Sequence, residues 1–289
     1  MSLEQPTLDV PLFSLIWIWA PSLIFFVLLD ALLLHFLVPG LLKYFKLSEN
    51  DQKKRLCLPG HTKALLTERL AGTLTAIAIS CIGILILSET YEDVIYAKSS
   101  LLLPSAYIFT CNFVYDFYRM YRRFSLSKSE YASLSRTLVL LKMIRNQLSF
   151  VIHHLLLICG LVIAHHSFRG GRGDFIIGCY FIMELTNPFL NFYFILKEFQ
   201  MKDTLVFRVN GVLAILVYVF SRILNYPFQY YMYAHQYHNG DYVSAVKGML
   251  LVCHVFSGVG LILQIYWLYG MIRIFVARAK YAFMINKNK

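Results

Sequence analysis

The chain has 289 residues, 58% of them hydrophobic, 16% aromatic and only 15% charged. That balance excludes a soluble domain of this length and points to one polytopic membrane domain. The net charge of +11 does not call for nucleic acid, because the basic residues gather in loops, where they set membrane topology and face anionic lipid headgroups.

Seven apolar stretches are long enough to span a bilayer, which takes about 20 helical residues each. They are 12–39, 66–88, 101–119, 147–166, 174–196, 205–225 and 246–274. Lipid offers no hydrogen bonds to backbone, so each is predicted to be a helix. The first fifteen residues carry Glu4 and Asp9 and no basic residue. The first run therefore reads as a retained helix rather than a cleaved leader. No internal repeat is evident.

Loop charges predict orientation. The loops 40–65, 119–146 and 197–208, with the tail from Arg273, hold twenty-one of the 27 Lys and Arg residues. Lys98, Arg169, Arg172 and Lys247 fall on the other side, and Arg69 and Arg222 lie within or at the edge of helices. The positive-inside rule then predicts a lumenal amino terminus and a cytosolic carboxyl terminus, consistent with an odd number of spans.

Ionisable groups at membrane depth are costly and normally face a bundle interior or a wet cavity. Two such segments stand out. His153-His154 opens the fourth run, about 8–10 Å below the cytosolic surface at 1.5 Å per residue. Adjacent helical positions differ by about 100°, so only one imidazole points squarely into a given cavity. An imidazole serves as a general base near neutral pH or attacks an activated acyl group; the plainer reading is polar packing. Glu184 lies mid-way along the fifth run and leads into Asn187-Pro188. Pro188 removes a backbone donor and is predicted to kink that helix.

Asp116, at the end of the third run, is placed to orient an imidazole or to pair with Arg119 or Arg122. Asp30 lacks a motif and reads as a bundle contact. His165, His166, His235 and His238 share the lumenal side, but no spacing among them specifies a metal, and none is expected. The six cysteines (Cys57, Cys81, Cys111, Cys159, Cys179 and Cys253) form no C-x-x-C and read as small hydrophobes. Arg169-Gly170-Gly171-Arg172-Gly173 is predicted to be a tight turn between helices four and five.

A set of short motifs in order resembles the TLC domain, the fold shared by ceramide synthases and other lipid proteins. They are Thr67-Glu68-Arg69-Leu70, Val114-Tyr115-Asp116, His153-His154, Gly173-Asp174-Phe175, Glu184-Leu185 through Asn191, Val209-Asn210-Gly211, Ser221-Arg222-Ile223-Leu224, Pro227-Phe228 and Gln264-Ile265-Tyr266-Trp267. The set is most similar to the third TLC-domain-containing subfamily, which includes a reported ceramide synthase. The resemblance implies an all-α fold with a six-helix barrel of helices two to seven and helix one appended. Residues 1–64 then form an amino-terminal segment, 65–276 the TLC domain and 277–289 a basic cytosolic tail.

The same resemblance implies N-acyl transfer from acyl-CoA to a sphingoid base, with His153 and His154 catalytic and Asp116 assisting. Substrate-binding positions are then Glu184, Asn187, Asn210, Arg222, Tyr115 and Arg69. No bound cofactor is implied; acyl-CoA is the co-substrate, and membrane lipids are the surroundings and acceptors. The implied location is the endoplasmic reticulum membrane, with Golgi or plasma membrane as alternatives, and a homodimer is compatible. Two positions depart from the pattern. Ceramide synthases carry two aspartates where this chain reads Ile176-Ile177-Gly178-Cys179-Tyr180, and Thr75 stands where many TLC proteins have a histidine. The alternative expectation is therefore a non-enzymatic lipid-binding, lipid-sensing or cargo-sorting protein. A transporter is a weaker third, since no inverted repeat or paired broken helices are visible.

Overall fold

The computed structural model describes residues 12–45, 60–161 and 170–287. Every regular element among them is helical. Lys46, Lys53, Lys54, Arg55 and Cys57 lie outside the described residues, as do His165, His166 and Arg169. Helix α1 (Leu12–Leu32) passes through one π-helical turn into α2 (Val38–Tyr44). α3 (His61–Thr90) and α4 (Leu102–Ser125) follow, then a short helix α5 (Arg136–Asn146) and α6 (Leu148–Cys159). α7 (Asp174–Ile182) runs through a 3₁₀ turn, Met183–Thr186, into α8 (Asn187–Glu198). α9 (Leu205–Tyr218) runs through a π turn, Val219–Ile223, towards α10 (Asn225–Tyr237). α11 (Tyr242–Gly248) and the long α12 (Leu251–Lys287) complete the chain.

Five helical runs are long and apolar enough to cross a membrane: Trp17–Tyr44, His61–Thr90, Asp174–Glu198, Leu205–Tyr237 and Cys253–Ala277. The two other predicted spans differ in kind. α6 is apolar, but its described helix is short. α4 is 24 residues long and amphipathic, because it carries the Asp116-to-Arg123 polar stripe. Several runs extend past their predicted ends. α4 continues to Ser125, and the helix predicted to stop at residue 225 continues to Tyr237. Hydropathy marks the lipid-facing stretch and is blind to helix that emerges from it.

Side-chain contacts sort the helix ends into two groups. At one end the Thr62 hydroxyl donates to Glu198 (2.7 Å), Arg123 Nε donates to Glu68, and Phe45 stacks on Phe199 with centroids 4.1 Å apart. The start of α3 and the ends of α2, α4 and α8 therefore converge beside the basic loops. α5 lies at this end too. Ser135 caps it, and Val139 and Met143 are buried against Met120, Phe124 and Tyr131. At the opposite end Gly173 N–H donates to Ile95 O (2.7 Å) and Ser99 N–H to Asp174 (2.9 Å). Gly170, Gly171 and Gly173 all adopt positive φ there, as the predicted tight turn requires.

The main apolar core joins α3, α4, α6 and α7 through Ile79, Ile86, Phe109, Phe113, Leu161 and Phe181. α3 and α7 approach most closely at facing glycines. A Cβ at Gly83 would stand 2.9 Å from Gly178 O, and one at Gly178 would stand 2.4 Å from a Leu87 methyl. The Ile176–Tyr180 stretch is thus a helix–helix contact, with Phe175 and Cys179 essentially inaccessible on either side.

The first helix is more than an appendage. Cys111 Sγ lies 3.8 Å from Trp19 O, Phe26 is buried, and Asp30 is 4% exposed. Asp30 meets Arg119, which sequence reasoning had placed among the loop cations; the guanidinium is instead buried inside the bundle.

Candidate active site

α6 begins afresh at Leu148, after Gln147 leaves helical geometry. The 100° step between adjacent helical positions sets its two histidines on different neighbours. His154 faces α4, with its ring between Phe113 and Phe117 (5.8 and 5.6 Å between centroids). Its Nδ1 lies 2.9 Å from Phe150 O, a pure acceptor, so Nδ1 carries a hydrogen. Nε2 then faces Asp116 Oδ2 at 3.6 Å. A His154 protonated at Nε2 would face that carboxylate as its counter-ion.

Asp116 is held in turn by Arg119, whose Nη1 lies 2.7 Å from Oδ1. The same Nη1 donates to Asn112 Oδ1 (3.0 Å), while Nε and Nη2 both lie 3.0 Å from Asp30 Oδ1. Tyr115 lies under the guanidinium, 4.7 Å from ring centroid to carbon. Asp30, Arg119, Asp116 and His154 thus form one continuous ionic chain across α1, α4 and α6.

His153 faces α12. Its ring meets Trp267 edge to face at 5.0 Å, and Trp267 stacks on Phe150 at 5.3 Å. Among the described residues neither nitrogen of His153 has a hydrogen-bond partner. The Trp267 indole N–H is buried and has no partner either. An open imidazole therefore sits beside an open donor.

Glu184 lies in a second cluster. It occupies the 3₁₀ turn before Pro188, where the predicted kink occurs. Asn187 Nδ2 donates to its Oε2, and Arg222 Nη2 lies 3.8 Å from Oε1. Arg222 stands in the π turn, part-way along the Leu205–Tyr237 run rather than near its end. Its Nε donates to Met183 O (2.9 Å), Nη2 to Asn187 Oδ1 (2.9 Å) and Nη1 to Gln264 Oε1 (3.2 Å). The Tyr218 hydroxyl donates to the same Gln264 Oε1 at 2.5 Å. A carbonyl loosened by the proline break is thereby capped by a guanidinium from the next helix. Asn210 does similar work, donating to Phe189 O at 3.0 Å.

Arg69 belongs to neither cluster. It donates to Asn191 Oδ1 (3.2 Å), covers the Phe194 ring and stands beside Glu68 at the basic end. The structure therefore brings together His153, His154, Asp116 and Tyr115. It gathers Glu184, Asn187 and Arg222 separately, with Asn210 nearby on α9. No hydrogen bond joins Glu184 to either histidine among the described residues. His235 and His238 pack on the rings of Tyr231 and Tyr233.

Sequence reasoning missed the roles of Asp30, Trp267 and Gln264. Asp30 carried the same signal as Glu184, a lone carboxylate in an apolar run. Trp267 and Gln264 were within a recognised motif, but nothing in it said which face of α12 they share.

The TLC-domain family model matches residues 66–273. The chain belongs to the TLC-domain family. The matched segment holds the histidine pair, Asp116, Glu184 and Arg222, and starts after α1 and Asp30. No solved structure matches the chain significantly. The TLC family includes lipid-related membrane proteins, and the several apolar helices of this member agree with a multi-pass membrane protein.

Proposed function

We propose that this TLC-domain protein is a membrane lipid acyltransferase that moves an acyl group from acyl-CoA to the amino group of a sphingoid base. The observation that carries the reading is His153, an imidazole with both nitrogens open among the described residues, set between Trp267 and the His154–Asp116 pair. In this reading a His153 nitrogen attacks the thioester carbonyl and the carbon–sulfur bond breaks. The departing thiolate takes a proton from His154. The acceptor amine then attacks the acyl-imidazole, the carbon–imidazole bond breaks, and the amine's proton returns to His154. The products are an amide and free CoA thiol. The buried Trp267 N–H is a donor available to the carbonyl oxygen as it gains charge. A general-base mechanism uses the same residues, with His153 taking the amine proton directly.

The topology fits this chemistry. In this reading the orientation expected from the loop charges puts the basic end in the cytosol, where a CoA headgroup stays in water while its acyl chain enters the bilayer. The convergence of the basic loops at one end supports that placement. The compartment that suits such a reaction is the endoplasmic reticulum.

The test uses purified protein, labelled acyl-CoA and a panel of sphingoid and lysophospholipid acceptors. His153→Ala is expected to lower turnover by about 10³-fold without lowering the thermal midpoint. Equal turnover in the two proteins, or none in either across the panel, defeats the enzyme reading. A second reading, a non-enzymatic lipid-binding protein, is favoured by the saturation of Glu184, Asn187 and Arg222 by one another. Bound lipid that co-purifies with the wild type and is lost on mutation, with no product formed, supports that alternative.

A further inference from the structure

The ionic chain that ends on His154 starts outside the matched domain. Asp30 is on α1, buried in the bundle, and its Oδ1 is within 3.0 Å of two Arg119 nitrogens. Arg119 is thereby shared between two carboxylates, Asp30 on one side and Asp116 on the other. Two carboxylates and one guanidinium leave one unit of negative charge. The proton on the Asp116–His154 pair balances it, and a buried cluster of this kind is stable only when its charges are matched.

Without Asp30 the balance changes. Arg119 is three residues from Asp116 on the same helix and is then free to turn its whole fork to that carboxylate. Asp116 becomes neutralised by Arg119 alone, and His154 loses the counter-charge that keeps its second proton. We infer that Asp30 is a positioning residue of the candidate active site: by dividing Arg119 with Asp116, it keeps the Asp116–His154 pair protonated beside His153. The significance of that proton for acyl transfer rests on the reading given above. The charge sharing itself rests only on the distances.

The other groups in reach are accounted for. Arg122 acts on Asp30 from α4, the Tyr115 hydroxyl hydrogen-bonds Asp30 from the same helix, and Arg69 acts on Asp116 from α3. Glu184 acts on His154 from the 3₁₀ turn, but its charge is matched by Arg222, which in turn acts on His153. His153 is the remaining neighbour of His154. None of these stands between Asp30 and Arg119, so Asp30 is the carboxylate that shares the guanidinium with Asp116.

The experiment needs no substrate, so its outcome is separate from that of the acyl-transfer assay. Diethyl pyrocarbonate modifies an imidazole nitrogen only when it is unprotonated. Full-length protein in lipid nanodiscs is treated with it across a range of pH in a His153→Gln background, and fragment-ion mass spectrometry reads His154. Asp30→Asn is expected to move the midpoint of His154 modification to lower pH by about one pH unit. Asn112 offers the control, since its Oδ1 is 3.0 Å from Arg119 Nη1. In Asp30→Asn combined with Asn112→Asp a carboxylate is returned to Arg119 from its own helix, two turns away, and the midpoint is expected to return towards that of the parent. A midpoint unmoved by Asp30→Asn, or one that the double variant does not restore, overturns the inference. Where Asp30→Asn does not fold, Asn112→Asp alone is read: an added carboxylate on Arg119 must raise the midpoint, and no change overturns the inference.

Discussion

The two buried polar clusters are built from the same residue types and differ in what they leave unused. Around Glu184, every strong donor faces an acceptor: Arg222 reaches Met183 O, Asn187, Gln264 and Glu184, and Tyr218 reaches Gln264. Around the histidines, Asp30, Arg119 and Asp116 are engaged, yet the chain ends on the Asp116–His154 pair beside His153 and the Trp267 N–H, which have no polar partners among the described residues. The first cluster stands where the backbone is broken, at a 3₁₀ turn and a π turn. Its side chains cover carbonyls that the ladder has released. The second stands on regular helix, where the backbone makes no such demand, and its groups are available for chemistry.

The largest effect expected from this contrast is on folding. Arg222→Met removes the cap from Met183 O and strands Glu184 without its counter-charge. Loss of one partner of a buried pair costs about 3–5 kcal/mol, so the variant is expected to purify poorly and to melt far below wild type in a thermal-shift assay. The double variant Arg222→Met, Glu184→Gln removes both charges and is expected to regain part of the loss. A wild-type melting point for Arg222→Met breaks the architectural reading of this cluster. On the other side, Trp267→Phe keeps an aromatic ring against His153 and Phe150 and deletes only the N–H. Turnover is expected to fall by about 10²-fold, with an unchanged melting point. An unaltered rate shows that the N–H takes no part.

A smaller effect tests whether the clusters are mechanically separate. A Cβ at Gly83 meets backbone atoms of Gly178 and Ile182 at 2.9 and 3.0 Å, just before the turn that bears Glu184. Gly83→Ala forces α3 from α7, and overpacking of this sort costs about 1–3 kcal/mol. The melting point is expected to fall by that measure while His153 keeps its reactivity towards diethyl pyrocarbonate. Loss of both together shows that the Glu184 turn and the histidine cluster move as one.

Much of this was legible in the sequence because lipid is a strict solvent. A carboxylate or histidine pair within an apolar run has few places to go, and His153, His154, Asp116 and Glu184 were found for that reason. Pro188 likewise announced the break in its helix through its missing donor. The pairing was not legible, because it depends on which faces meet. Arg119 reads as a loop cation from its neighbours Arg122 and Arg123, yet it is one turn deeper and buried. Asp30 lies 89 residues from the arginine it binds, and nothing local to either says so. Arg222 seemed to sit at a helix end because hydropathy falls off after it, while the helix itself continues. The Ile176–Tyr180 stretch shows the same limit. Its lack of aspartates was visible, but its use as the closest contact with α3 followed only from the facing glycines.

A third polar cluster, outside the spanning helices, supplies a comparison of a different kind. Asp93 lies in the turn between α3 and α4 and accepts from the Tyr237 hydroxyl and from the amides of Ile95 (3.1 Å) and Tyr96 (2.8 Å). Partial burial by itself raises the Asp93 carboxyl, but these three donors together hold it below its ordinary value of 3.8. A carboxyl with a lower pKa folded than unfolded stabilises its surroundings above the unfolded value, and that stabilisation is lost as pH falls through the folded one. The turn is therefore expected to hold at neutral pH and to loosen only below about pH 4. Amide exchange at Ile95 and Tyr96, measured against Asp93→Asn at each pH so that intrinsic rates cancel, gives the check. Protection in the wild type is expected to exceed that of the variant at pH 6 and to converge on it once the pH falls below the folded-state value. If protection around Asp93 is the same in the two proteins at pH 6, the carboxylate contributes nothing to the turn, and the contrast between water-facing and buried clusters must rest on the latter alone.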